Sequence, residues 1–350
     1  MIRLIATGNL ILLRTGHSCQ CFSMASNPLS MGFTDHILVF DSVFLALGMA
    51  SNLFVCFIMT RSKLVGKNLS NFYIFHLSMA EVVYRTVMAV VRIFKAITDF
   101  RLLSQGECKA IEFFPRATGA TVFSLLAGIA MDRKNHIVNP LRNLALTGHR
   151  KTRIASIWLF SVVISFPIIF GTNMIPLVRK NTSGQDNSSE PISSTPAFVC
   201  VLPRNSFASQ ISFTIYFLFA FVAPLSIITT SYWKIFIFLR KRATERTMSP
   251  CYIRSKYKAL RMLVLIVISF LLSWGPVMLL ELGKVHAGSF VRFGDISVKQ
   301  IVVSISLTSS VIHPVLYSFG NANFRWEVAR TFRDCKMWFS TKIETLNFRF

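Results

Sequence analysis

The chain has 350 residues, of which 53% are hydrophobic and 15% charged, and its mean hydropathy of +0.53 is too high for an ordinary soluble domain. The formal charge of +23 could suggest nucleic acid, but the basic residues sit at the ends of apolar segments and form no nucleic-acid-binding face. Seven scattered cysteines without CxxC spacing give no metal framework, and neither a cofactor nor a metal is expected.

Residues 1–34 contain no acid, carry Arg3 and Arg14, and hold a broken apolar run, Leu10 to Leu13, that is short for a signal-peptide core. They read either as a poor signal anchor or as an extension upstream of a start at Met24 or Met31. From Ile37 onward, seven apolar stretches recur near 36–60, 70–97, 109–134, 152–175, 208–239, 258–283 and 297–319. Each is long enough to cross a roughly 30 Å hydrocarbon core at about 1.5 Å per residue. The second and third carry Glu81, Arg85, Arg92, Lys95, Glu112 and Arg116, the mark of helices facing a polar interior. The expected fold is an all-α bundle of seven membrane-spanning helices over residues 36–320, after an extracellular segment at 1–35. Residues 321–350 are expected to form a cytoplasmic amphipathic helix and tail.

Lys and Arg concentrate after the first span (Arg61, Lys63, Lys67), after the third (Arg133, Lys134, Arg142, Arg150) and between the fifth and sixth (Arg240 to Arg261). Cytoplasmic loops retain such charge, so the N-terminus is expected outside and the C-terminus inside. The outer loop at 176–207 holds Asn181-Thr-Ser and Asn187-Ser-Ser, N-glycosylation acceptors that agree with this orientation. Cys108 opens the third span on the outer side and Cys200 lies in that loop, so an oxidising compartment permits a bridge between them. Past the seventh span, Phe324, Trp326, Val328 and Phe332 alternate with Arg325, Arg330 and Arg333 in a basic amphipathic stretch suited to the headgroup plane of a bilayer. Cys335 within it is a candidate for S-palmitoylation.

One stretch, Leu125 to Pro140, runs from an apolar segment straight into Asp132-Arg133, which marks where a helix leaves the membrane. Pro140 should end or bend that helix. Asn52 stands in the first span, Leu77-Ser-Met-Ala-Glu81 in the second, and Cys108 precedes Arg133 by twenty-five residues. Trp158 and Pro167 mark the fourth span, Pro224 and Tyr232 the fifth, Phe270 with Ser273-Trp274-Gly275-Pro276 the sixth, and His313-Pro314-Val315-Leu316-Tyr317 the seventh. Taken in order, one set per span, these residues make residues 36–338 resemble the rhodopsin-like G-protein-coupled receptors.

The resemblance implies an extracellular ligand, a heterotrimeric G protein as partner with arrestin as a further candidate, and a plasma-membrane location. It implies that Asp132 holds Arg133 at rest and that Tyr232, Phe270, Trp274, Pro276, Pro314 and Tyr317 form the activation switch. The mid-span prolines suit hinges between two packings. Some features depart from the family. Glu81 replaces its aspartate, Lys134 its tyrosine and His313 its asparagine, and Lys256 and Lys258 stand where some relatives place an acid that clamps the arginine. Relatives hold a sodium ion near Glu81 and His313 with help from a serine; that position is Val122 here, so a Glu81–His313 contact is expected instead, in a polar midplane site with Asn52.

The amine-binding aspartate position of the family is Pro115 and the retinal-lysine position is Leu307, which argues against both ligand types. Arg92, Lys95, Arg116 and Lys299, set against Glu112 and Glu281, leave a peptide, an anionic lipid or a small acid, unless these side chains snorkel or pair among themselves, Arg116 with Glu112 in particular. A transporter or channel is the alternative, but the two halves of the chain show no repeat. An intramembrane enzyme lacks a constellation, since His76 and His313 are isolated and no HExxH or GxSxG occurs.

Overall fold

In hydrocarbon every backbone N–H and C=O must be satisfied within the protein, and a helix does this within one segment. The computed structural model describes residues 6–7, 10–11, 28–98, 104–140, 148–176, 198–203, 206–286, 296–320, 324–334 and 337. They form a helical bundle. A two-residue strand pair, β1 (Ala6–Thr7) and β2 (Leu10–Ile11), precedes it. The helices are α1 (Pro28–Arg61), α2 (Leu69–Thr98), α3 (Gln105–Val138), α4 (Arg150–Ser165) with its short continuation α5 (Ile168–Gly171), α6 (Phe207–Tyr216), α7 (Ala223–Thr244), α8 (Pro250–His286) and α9 (Ile296–Gly320).

Six helical stretches are long and apolar enough to cross a membrane: His36–Arg61, Leu69–Phe94, Gln105–Val138, Arg150–Gly171, Phe207–Thr244 and Val264–His286. Gln300–Val315, within α9, is a shorter apolar helix that completes the seven. Helix α3 runs through the middle against α2, α4 and α7, while α9 packs on both α8 and α1 and so closes the ring. The bundle carries large apolar side chains outward, such as Leu159, Phe170 and Leu272. Such a surface suits a hydrocarbon solvent and is unfavourable in water.

Local chemistry sets the helix ends. Ser104 and Glu107 form a reciprocal capping box at the start of α3, with the Ser104 N–H donating to Glu107 Oε2 over 2.7 Å. The helix stops at Val138, just before Asn139 and Pro140. Helix α8 begins at Pro250, earlier than the apolar pattern near 258 suggests, because Ser249 caps it by accepting from the Tyr252 N–H and proline suits the first helical position. A polar helical extension of this kind carries no hydropathy signal.

The fifth span holds a feature with no counterpart in its apolar pattern, a six-residue π-helical segment, Phe217–Val222, between α6 and α7. Pro224 has no N–H to offer the carbonyl one turn back, and a π segment just before it accommodates that missing bond while turning Ala220 and Phe221 into the core. Strands β3 (Asn173–Pro176) and β4 (Phe198–Val201) form an antiparallel pair, and the Cys108–Cys200 disulfide ties β4 to the start of α3 with a Cα–Cα distance of 5.4 Å. At the opposite end, a helix over 324–334 buries Phe324, while Ser62 donates to Glu327 across 2.9 Å.

Candidate functional site

The sequence-marked residues fall in layers between the Cys108 end of α3 and its Arg133 end. At the Arg133 end, Asp132 is buried and its Oδ2 accepts a 2.5 Å hydrogen bond from Ser70 of α2. The expected Asp132–Arg133 pair is not found among the ion pairs of the described residues. Consecutive helical residues point about 100° apart, so the carboxylate turns to α2 while the guanidinium turns elsewhere. Tyr232 of α7 is buried within electrostatic reach of Arg133. Lys256, in the first turns of α8, lies over the Tyr252 ring at 5.0 Å.

The middle layer holds three ionisable side chains in contact. Glu81 Oε1 lies 3.5 Å from His313 Nδ1, and its Oε2 lies 3.6 Å from Arg85 Nη2, one turn further along α2. Arg85 is fully buried and among the largest buried side chains. In the sequence Arg85 stands out only as a polar residue of the span, and its i, i+4 spacing to Glu81 is the one signal that places it in the site. Space for this cluster comes from α1: a Cβ on Gly48 would collide with Ser310 Oγ and lie 3.8 Å from Arg85 Nε. Asn52 does not join Glu81. Its Nδ2 donates to the carbonyls of Gly48 (2.8 Å) and Ser310 (3.0 Å), stapling α1 to α9 where the latter approaches Pro314.

Next to this layer sits an aromatic cluster. Phe123 of α3 meets Phe270 edge-on at 4.8 Å and Trp274 at 5.0 Å, Phe221 from the π segment stacks on Phe270 at 5.6 Å, and Tyr84 meets Trp274 at 5.6 Å. Trp274 Nε1 donates to Ser309 Oγ over 3.2 Å, which joins α8 to α9 two residues before Pro276. Any displacement of Trp274 must therefore repack helices α2, α3 and α9 together.

At the Cys108 end three cations have carboxylate partners. Arg92 donates to Asp41 of α1 over 2.8 Å, Arg116 pairs with Glu112 one turn away on α3, and Lys284 pairs with Glu281 at 3.2 Å. Tyr216 donates to the Arg116 carbonyl over 3.1 Å. This is the internal pairing that the sequence left open, and its least visible partner is Asp41, an acid within the first apolar stretch. The side chains of Lys95, Lys299 and Tyr317, and all of Asn181, Asn187 and Cys335, lie outside the described residues.

A ring of apolar helices with a disulfide at one end, a buried ionic layer and an aromatic cluster against a proline-containing helix defines a multi-pass membrane protein of the receptor type. The model of the 7 transmembrane receptor (rhodopsin family) matches residues 51–317, and the chain belongs to that family. It is similar to Probable G-protein coupled receptor 19 of Homo sapiens, 25% identical over 299 residues that cover 84% of this chain and 66% of the relative. It is also similar to the Blue-sensitive opsin of Gallus gallus (25% over 299 residues, 85% and 78%) and to Neuropeptide Y receptor type 6 of Mus musculus (24% over 306 residues, 85% and 81%). Of four curated relatives it matches, the chain spans 55 to 66% of the length. These relatives are receptors and not enzymes.

Proposed function

We propose that the protein is a plasma-membrane receptor, N-terminus outside and C-terminus inside, that binds an extracellular peptide at the Cys108 end and activates a heterotrimeric G protein at the Arg133 end. Within it, 36–320 is the receptor domain, 1–35 the outer segment with loop glycosylation at Asn181 and Asn187, and 321–350 the inner helix and tail with Cys335 as lipidation candidate. Arrestin is a further partner by family resemblance.

The observation that carries the peptide reading is the pairing of Arg92 with Asp41, Arg116 with Glu112 and Lys284 with Glu281. Each of these three cations is offset by a carboxylate, so none of the three offers a lone anion an unpaired positive charge. A peptide brings donors, acceptors and charges of both signs and can exchange partners with these pairs. One relative's name specifies a neuropeptide and another light, so the relatives alone do not choose the ligand. Here Leu307, at the position of the retinal lysine, removes the attachment point for a light-sensing chromophore.

The test is a second-messenger readout in transfected cells against parallel peptide and lipid libraries. A peptide hit whose potency falls on Arg116→Gln supports the reading. Responses confined to small acids or anionic lipids would overturn the ligand class, and ion flux without any messenger response would favour the transporter alternative.

A further inference from the structure

Asp132 is 3% exposed, yet among the described residues no cation forms an ion pair with it. Ser70 donates to its Oδ2 over 2.5 Å, while its Oδ1, sealed from solvent, has no hydrogen-bond partner among those residues. One neutral hydroxyl is a weak hold on a buried carboxylate, because such charges are normally paired as well as hydrogen-bonded. A cation within reach would draw it away.

The first turns of α4 bring such a cation close. Arg150 lies over the Phe72 ring of α2 at 5.3 Å, and the half-buried Arg153, one turn on, faces the hydroxyl of Tyr73. Tyr73 is itself 4% exposed, and its hydroxyl is also within electrostatic reach of Asp132. Helix α3 fixes the ring: a Cβ on Gly128, one turn before Asp132, would meet it at 2.9 Å. The glycine therefore lets Tyr73 lie on the α3 backbone, with its hydroxyl meeting Arg153 of α4 in the neighbourhood of the Asp132 carboxylate. Asp132 and Arg153 border one groove of about 470 Å³, which leaves the Arg153 side chain room to swing.

We propose that Arg153 is a positioning residue, the second partner of Asp132, which takes the carboxylate when Ser70 releases it, and that the Tyr73 hydroxyl keeps Arg153 off it at rest. Held by Ser70, the Arg133 end of α3 is tied to α2; held by Arg153, it is tied to α4. A guanidinium offers a carboxylate two parallel charge-assisted hydrogen bonds where a serine offers one. Two discrete partners on two helices make a two-state element. Arg133, the next residue and about 100° further round the helix, turns with the swap. The link of this swap to a G protein rests on the proposed function, with the Arg153-held state as the one that promotes nucleotide exchange. The swap itself does not rest on it.

Two measurements on the purified full chain in nanodiscs test it, and the first needs no G protein. In the Ser70→Ala receptor, Asp132→Asn and Arg153→Gln together should lower the melting temperature by less than the sum of the two alone, because each breaks the same pair. In the unmodified receptor, where Ser70 holds the carboxylate, the two losses should add. The second measurement is basal guanine-nucleotide exchange on purified heterotrimeric G proteins, with the melting curves checking that every variant is folded. Ser70→Ala and Tyr73→Phe should each raise it about 3- to 10-fold, the scale of one hydrogen bond. Adding Arg153→Gln should bring both down to the rate of Arg153→Gln alone, whereas Arg153→Lys should keep part of the gain. A merely structural role predicts losses, not a gain that a second change removes. Additive melting losses in the Ser70→Ala receptor, or gains in nucleotide exchange that survive Arg153→Gln, would overturn the proposal. Coupled melting losses with no nucleotide exchange in any variant would support the swap and count against the proposed function.

Discussion

Arg85 Nη2 lies 3.6 Å from Glu81 Oε2, one helical turn apart on α2, with the two side chains 0% and 2% exposed. The guanidinium is thus a tethered cation beside a buried carboxylate, and Glu81 also faces His313 at 3.5 Å. Removing one partner of a buried pair strands the other charge, at a typical cost of about 3–5 kcal/mol, whereas replacing both by apolar groups is often neutral. Arg85→Met and Glu81→Leu should therefore each lower the melting temperature of the purified receptor markedly, and the double variant should recover most of the loss. A double variant as unstable as the sum of the two would show that the contact carries no coupling.

The same cluster leaves a diffusible cation little to do. Agonist affinity should be insensitive to sodium at constant ionic strength, and Glu81→Gln with His313→Asn should couple by roughly 0.5–3 kcal/mol in a double-mutant cycle. Radioligand displacement in sodium against N-methylglucamine reads the first, and a sodium-specific loss of agonist affinity would count against it.

Gly48 sits where any side chain meets Ser310. Gly48→Ala should reduce cell-surface expression by pushing α1 from α9 and straining the Asn52 staple, an overpacking cost of about 1–3 kcal/mol. Ser310→Gly in the same chain should restore expression. Flow cytometry on tagged receptor checks both, and failure of the second change to rescue would place the fault elsewhere.

The disulfide joins residues 92 apart in sequence. Bridges of this kind typically contribute about 2–5 kcal/mol in small secreted domains. Cys108→Ala, Cys200→Ala and the double variant should lose surface expression to the same extent. A graded loss, with the double worse than either single, would mean that the cysteines act separately.

Much of the architecture was legible because its signals are local. Apolar length gives the spans, Asn139 and Pro140 end α3, and Pro224, Pro276 and Pro314 mark the fifth, sixth and seventh. What escaped depends on rotation about helix axes and on contacts between spans. Arg92 meets Asp41 across 51 residues, Ser70 meets Asp132 across 62, and Trp274 meets Ser309 across 35. No one-dimensional spacing encodes these. Arg85 is the instructive miss, since its spacing from Glu81 was visible, but a hydropathy reading treats a charge in a span as an exception to be moved to the edge, not as the centre of a buried pair.

The Arg133 end is proposed to act as the switch towards a G protein. The most direct measurement is guanine-nucleotide exchange on purified heterotrimeric G proteins by the unliganded receptor, compared with Ser70→Ala and Arg133→Ala. Ser70 holds Asp132, and the described residues contain no ion pair that clamps Arg133. The expected result is measurable basal exchange on at least one G-protein class, raised by Ser70→Ala and abolished by Arg133→Ala in a receptor that still reaches the surface. Basal exchange that is absent across all G-protein classes and stays absent in Ser70→Ala, or exchange that survives Arg133→Ala, would contradict it.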